Sequence, residues 1–145
     1  LSGILLDSHA LYWLVSGEVE LLDEALVAIG ENQKAGTLFV SPITAWEIAT
    51  AARKRRLARR PNLGTDSPER WFREAVGATS ARILPIRQRV SLAAARVVTE
   101  TGHTDPGDCF LIASARVRRI PILTRDEFMQ GLCAERPGYL DVIAC

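Results

Sequence analysis

The sequence is poor in the features that mark several large classes of protein. It has three cysteines, Cys109, Cys133 and Cys145, an odd number without the spacing of a zinc finger, so neither a disulfide framework nor a structural zinc site is expected. Reduced thiols in a cytoplasm are the expectation. No apolar run approaches the roughly 18 residues of a membrane span, and no signal peptide is expected. No glycine-rich phosphate loop follows any expected strand, which excludes the common nucleotide-hydrolysis motif. Neither His9 nor His103 stands beside a serine or cysteine elbow, so nucleophilic acyl chemistry has no support. Lysine is scarce, with only Lys34 and Lys54.

What is present is ordinary globular material: 145 residues, 48% hydrophobic and 24% charged, with a net charge of +1. That length suits one domain, residues 1–145, with one respectable core. The basic residues are unevenly spread. Arg53, Lys54, Arg55, Arg56, Arg59 and Arg60 fall within eight positions that contain no acid. Such a cluster either complements a helix C-terminus or tracks phosphates.

Apolar runs too short for helices read as strands buried on both faces. They are Ile4-Leu5-Leu6, Thr37 to Val40, Arg82 to Ile86, Ile120 to Leu123 and a short Val142-Ile143. Pro85 marks the third as an edge strand or a strand end. Between them lie helical patterns: from Ala10 to Ser16-Gly17, from Val19 to Asn32, from Ser41-Pro42 into the arginine cluster, from Ser67-Pro68, and from Gln88 to Glu100. Thr124-Arg125-Asp126-Glu127 reads as a capping-box start to another. The alternation predicts an α/β/α sandwich with a mainly parallel sheet of about five strands.

The stretch His103 to Ala115 begins a further helix. Asp105 suits the cap, Pro106 the first turn, and Asp108 the position of a capping-box acid. Helix geometry also places Asp108 above Leu111, Ile112 and Ala115, so its carboxylate heads a face that must be buried. Similar lone carboxylates stand elsewhere at the ends of apolar runs. Asp7 follows the first strand, Glu47 lies within two turns of the second, and Asp126 is two residues beyond the fourth. In parallel α/β folds, ligands bind outside the carboxyl ends of the strands. Each acid alone has a structural explanation as a cap, a turn residue or an arginine partner. Four acids from four segments at one rim instead suit a hard cation such as Mg²⁺ or Mn²⁺, which retains waters and binds substrate phosphates.

These stretches also carry a resemblance. Leu5 to Leu14, Ser41 to Ala49, His103-Thr104-Asp105-Pro106-Gly107-Asp108 and Leu123-Thr124-Arg125-Asp126, in that order, resemble PIN-domain toxins of the VapC type. The resemblance implies a Mg²⁺-dependent endoribonuclease acting on single-stranded regions of RNA, a neutralising antitoxin and a homodimer. It implies Asp7 and Asp108 as direct metal ligands, with Glu47 and Asp126 completing the catalytic set directly or through water. Asp105 either assists the metal or only caps its helix. The sequence departs from the commonest pattern at Cys109, where many relatives carry arginine, and in the segment from Arg56 to Asp66. Arg53 and Lys54 are the candidate contacts to RNA or to an acidic antitoxin segment, because Lys54 shares a helical face with Glu47 two turns away. The alternative is a non-catalytic α/β protein that uses the acidic rim for binding or regulation. A receiver-like version would want a well-placed lysine. A haloacid-dehalogenase-like phosphatase would want a second aspartate two residues beyond Asp7, where His9 stands.

Overall fold

The computed structural model describes residues 3–54 and 60–145. The readings at Arg55, Arg56 and Arg59 lie outside the described residues. Five strands form one sheet: β1 (Ile4–Leu6), β2 (Leu38–Val40), β3 (Arg82–Ile83), β4 (Ile122–Thr124) and β5 (Val142–Ala144). Their order is β3-β2-β1-β4-β5 and every pairing is parallel. Seven helices join them among the described residues: α1 (Ser8–Ser16), α2 (Asp23–Ala35), α3 (Pro42–Ala51), α4 (Pro68–Thr79), α5 (Gln88–Thr101), α6 (Pro106–Arg118) and α7 (Glu127–Glu135).

The three-layer arrangement follows from alternation along strands that are apolar throughout. Leu5, Phe39 and Ile122 join the core built with α5, α6 and α7. Their neighbours Ile4, Leu6, Leu38, Val40 and Leu123 face the opposite core, with Leu11, Ile29, Ile48 and Trp71. Since successive strand residues point to opposite faces, an unbroken apolar run buries both sides of the sheet. Helix α6 is the most enclosed, with Cys109 and Leu111 through Ala115 all buried.

Four boundaries differ from the sequence reading. Helix α3 ends at Ala51 instead of entering the arginine cluster; the Arg53 and Lys54 N–H groups close tight turns on the Thr50 and Ala51 carbonyls, so Lys54 does not share a helical face with Glu47. Helix α2 begins at Asp23 rather than Val19, because the chain before it runs beside the last strand: the Leu22 N–H donates to the Cys145 carbonyl at 3.3 Å. Strand β3 stops at Ile83, two residues before Pro85, and both of its residues are exposed at the sheet edge. The α7 cap is Asp126, not Thr124. Thr124 is still paired with Ala144 as the last residue of β4, so the helix cannot start there.

Candidate active site

The strand order reverses at β1, whose two neighbours are β2 and β4. The carboxyl ends of β1 and β4 therefore flank a topological switch point, where an open parallel sheet leaves a crevice. Asp7 leaves β1 there, and its backbone N–H donates to the Leu123 carbonyl of β4 at 3.1 Å. Around this point lies a cleft of about 370 Å³ lined by Asp7, Glu47, Asp105, Asp108 and Asp126, with Ser8, Trp13 and Arg125 among its other walls. Tertiary packing thus brings together all five acids singled out from the sequence.

Each acid is held by its own local structure. Asp7 caps α1, accepting the Ala10 N–H at 2.7 Å, and its other oxygen accepts the Thr124 hydroxyl. It is only 5% exposed. Burial pushes its pKa up against the lowering effect of those hydrogen bonds, and the negative charge of Asp126 adds to the rise. Thr124 also accepts the Asp126 N–H at 3.0 Å, so one hydroxyl ties two of the acids together. Asp126 in turn caps α7 by accepting the Met129 N–H at 2.9 Å.

Glu47 enters from α3. Ser8 donates to its Oε1 at 2.7 Å and lies 2.9 Å from the hydroxyl of buried Thr44. Burial raises the Glu47 pKa, and the charges of Asp108, Asp105 and Asp7 raise it further. Gly107 makes this approach possible. A Cβ at that position would lie 2.7 Å from the Glu47 carboxyl carbon, closer than atoms can pack.

Asp108 does not act as a reciprocal capping-box acid. Asp105 caps α6 by accepting the Asp108 N–H at 3.0 Å, but the Asp108 carboxylate turns to His103, with Oδ2 and Nε2 2.7 Å apart. With Asp108 ionised, that carboxylate only accepts, so Nε2–H is the donor. The imidazole is stacked on Phe128, 3.9 Å between centroids and 9° from parallel. Burial raises the Asp108 pKa, opposed by the His103 hydrogen bond and reinforced by Asp105 and Asp126.

Sequence reasoning passed over Ser8, Thr44, Thr124 and Gly107 as parts of this site. Their adjacency to the acids was visible, but nothing in their spacing shows that Thr124 would face Asp7 or Gly107 would face Glu47. Of the two candidate RNA contacts, Lys54 lines a second cleft beside the first, whereas Arg53 is exposed just beyond α3 and lines neither cleft. Cys109 is buried in the core, its thiol 3.4 Å from the His103 carbonyl oxygen, and takes no part in the cleft wall.

The donor set is entirely hard oxygen, and the rise in pKa of Asp7, Glu47 and Asp108 includes in each case the charge of another acid in the cleft. Both properties fit a divalent cation of the Mg²⁺ type, whose charge would relieve that repulsion. As the side chains lie, engaged with Ala10, Thr124, Ser8, His103 and Met129, no three His, Cys, Asp or Glu groups among the described residues form a ready ligand cage. Cation binding would therefore draw on the remaining lone pairs of carboxylates that already accept hydrogen bonds, each having about four lone-pair sites.

A parallel α/β sandwich with a carboxylate cleft at its switch point defines a class of protein whose hard-oxygen donors suit a divalent cation. Comparison with known proteins narrows the class. The PIN domain family matches residues 4–133, and the chain belongs to that family. PIN domain proteins are typically nucleases and generally use divalent metal ions. No curated protein matches the chain significantly.

Solved structures share the fold at low identity. A chain of VapBC2 from Rickettsia felis, in a complex bound to a DNA fragment from its promoter, superposes with a TM-score of 0.68 at 10% identity, covering 99% of both chains. VapBC-5 from Mycobacterium tuberculosis, of a toxin-antitoxin family, gives 0.61 at 17% identity over the whole of both chains. A toxin-antitoxin complex from Klebsiella pneumoniae gives 0.58 at 21% identity, covering 98% of this chain and 96% of that one. Among the described residues no helix is long and apolar enough to cross a membrane.

Proposed function

We propose that this chain is a Mg²⁺-dependent endoribonuclease, with Mn²⁺ as a substitute ion, that cuts phosphodiester bonds in single-stranded regions of RNA. In this reading it is the toxin of a toxin–antitoxin pair, working in the cytoplasm as a homodimer until an antitoxin neutralises it. The observation that carries the proposal is the convergence of Asp7, Glu47, Asp108 and Asp126, from four separate elements, on one cleft at the switch point. The toxin–antitoxin complexes among its structural neighbours support the biological setting.

Asp7 and Asp108 are assigned as direct ligands, with Glu47 and Asp126 completing the set and Asp105 beside them. A bound divalent ion supplies charge neutralisation on the phosphodiester and a more acidic water. The chain's own residues supply rigidity. Two hydrogen bonds fix the Asp7 carboxylate, and His103 aims that of Asp108. Ser8 holds one oxygen of Glu47, and the α7 cap holds one of Asp126. A site assembled before substrate arrives avoids reorganisation during the reaction.

The test is cleavage of RNA by purified protein, with Mg²⁺ and with chelator, beside Asp7→Asn. Cleavage that needs the ion and is abolished in the variant is expected. The melting temperature of the variant should hold or rise, since one repelling charge is gone. Equal cleavage in chelator, or by Asp7→Asn, would overturn the assignment. An unfolded Asp7→Asn would make the residue a structural cap instead.

A further inference from the structure

Beside the carboxylate cleft lies a second, of about 450 Å³, and the two share Ser8, His9, Trp13, Glu47 and Asp105. Its chemistry is different. Tyr12, Trp13 and Trp46 form aromatic walls, and Lys54 and Arg60 bring positive charge to a lining that also holds Glu18, Glu47 and Asp105.

The three aromatic rings are not equivalent. Tyr12 is buried, donates its hydroxyl to Glu18 at 2.6 Å, accepts the Asn62 N–H at 2.7 Å, and packs on Trp71. Trp13 is covered by His9, 5.4 Å between centroids, and by the Arg125 guanidinium 4.8 Å from its ring. Trp46 is 53% exposed, and among the described residues no ring or guanidinium lies against it. It immediately precedes Glu47 on α3. Successive helical residues diverge by about 100°, so the pair serve adjoining clefts: Glu47 reaches the acids, while Trp46 lines only the second.

A single exposed apolar residue means nothing by itself. An open indole in a concave cleft, continuous with a carboxylate site and bordered by cations, is a different matter. We propose that this second cleft is a nucleotide subsite, in which one unstacked base lies on Trp46 and the strand's phosphates run toward Lys54. The proposal rests on the nuclease reading above and adds where the strand lies. Every base has a π-face, so stacking on an aromatic ring is tolerant of sequence. A paired base in a duplex already has both faces covered. Occupying Trp46 thus selects an unpaired nucleotide, and this cleft would be a source of single-strand preference. An acidic peptide could also bring its carboxylates to Lys54 and Arg60, but it has no reacting group for the carboxylate cleft that shares Ser8, Glu47 and Asp105 with this one; a phosphodiester strand does.

The experiment measures binding of a short, labelled single-stranded oligoribonucleotide in Ca²⁺ at low salt, with strand integrity checked on a gel. A set of otherwise identical strands lacks one base at each position in turn. Wild-type protein should lose roughly 5- to 150-fold in affinity for the strand lacking the stacked base, the range of base–aromatic stacking. Trp46→Ala should bind the intact strand as weakly as wild type binds that abasic strand, and should no longer distinguish the two. Trp46→Phe should restore most of the difference. Lys54→Ala should lower the salt slope by about one without changing base discrimination. An unchanged melting temperature guards against a misfolded Trp46→Ala.

RNA cleavage by wild type with the same base discrimination retained in Trp46→Ala overturns the subsite while leaving the nuclease reading intact, whatever peptide or other occupant the cleft then takes. Neither binding nor cleavage of RNA by wild type overturns both.

Discussion

Gly107 shows how much a single hydrogen can decide. Its missing side chain is the space that the Glu47 carboxylate fills. Gly107→Ala should raise helix propensity by up to about 1 kcal/mol, because the position lies inside α6 with no positive φ to protect. The obstructing atoms belong to the end of a glutamate side chain that can rotate away once its Ser8 hydrogen bond is given up, so the fold should survive. Glu47 should be pushed out of the cleft, and a displacement of about 1 Å at a catalytic group can cost ~100-fold in rate. Thermal melting and RNA cleavage on the same variant check this: stability holds or rises while activity collapses. If both are unchanged, Glu47 contributes nothing from that position. The acidic identity of the site was readable at Asp7, Glu47, Asp108 and Asp126 one by one. The partners Ser8, Thr124 and Gly107 were not, because each meets its acid across elements far apart in sequence.

Among the elements, α6 carries the heaviest double duty. Its cap, Asp105, faces the cleft and also accepts the Asp108 N–H. Asp105→Ala should cost about 1 kcal/mol of stability through the lost cap. Asp105→Ser should recover it, since serine caps nearly as well without the charge. Comparing divalent-ion affinity in the two variants, by titration of the melting temperature, separates the roles. Restored stability with weakened ion response assigns Asp105 to the metal site as well as to the cap; restored stability with the wild-type response leaves it a cap alone. Helix starts marked by Ser41-Pro42, Ser67-Pro68 and Asp105-Pro106 were legible because capping is local chemistry. The α2 and α7 starts were not, since pairing with the sheet's far edge, at Cys145 and Ala144, decides where those helices begin.

Taken as one body, the molecule concentrates buried negative charge at the mouth of its sheet. Asp7, Glu47 and Asp108 all have raised pKa values in the folded state, with burial the largest cause. A raised carboxyl pKa means that the folded state binds its proton more tightly. Its favourable contribution is fully present below the ordinary values of 3.8 for aspartate and 4.5 for glutamate, and is lost as pH rises through the raised values. The stability of wild type relative to Asp7→Asn should therefore improve as pH falls from neutrality toward 4, measured by urea unfolding without divalent ions. Millimolar Mg²⁺ should stabilise wild type near neutral pH by linkage, and Asp7→Asn less. A wild-type advantage that shrinks on acidification would show that Asp7 is stabilised as the anion, against the burial argument.

From the order of residues alone come the α/β class, the parallel sheet and the list of acids. Short apolar runs can bury both faces only in a covered sheet, and caps are written within four residues. An acidic rim of four carboxylates was already expected from the sequence, but the strand order, and the one cleft beside β1 that those four share with Asp105, were decided only in three dimensions. Those depend on which helix crosses which face, a property of packing between segments up to 117 positions apart, as the Asp7–Thr124 hydrogen bond is. The same holds for Trp46. Its sequence neighbourhood places it on an apolar helix, and only the assembled walls of the second cleft leave its ring open beside the acids.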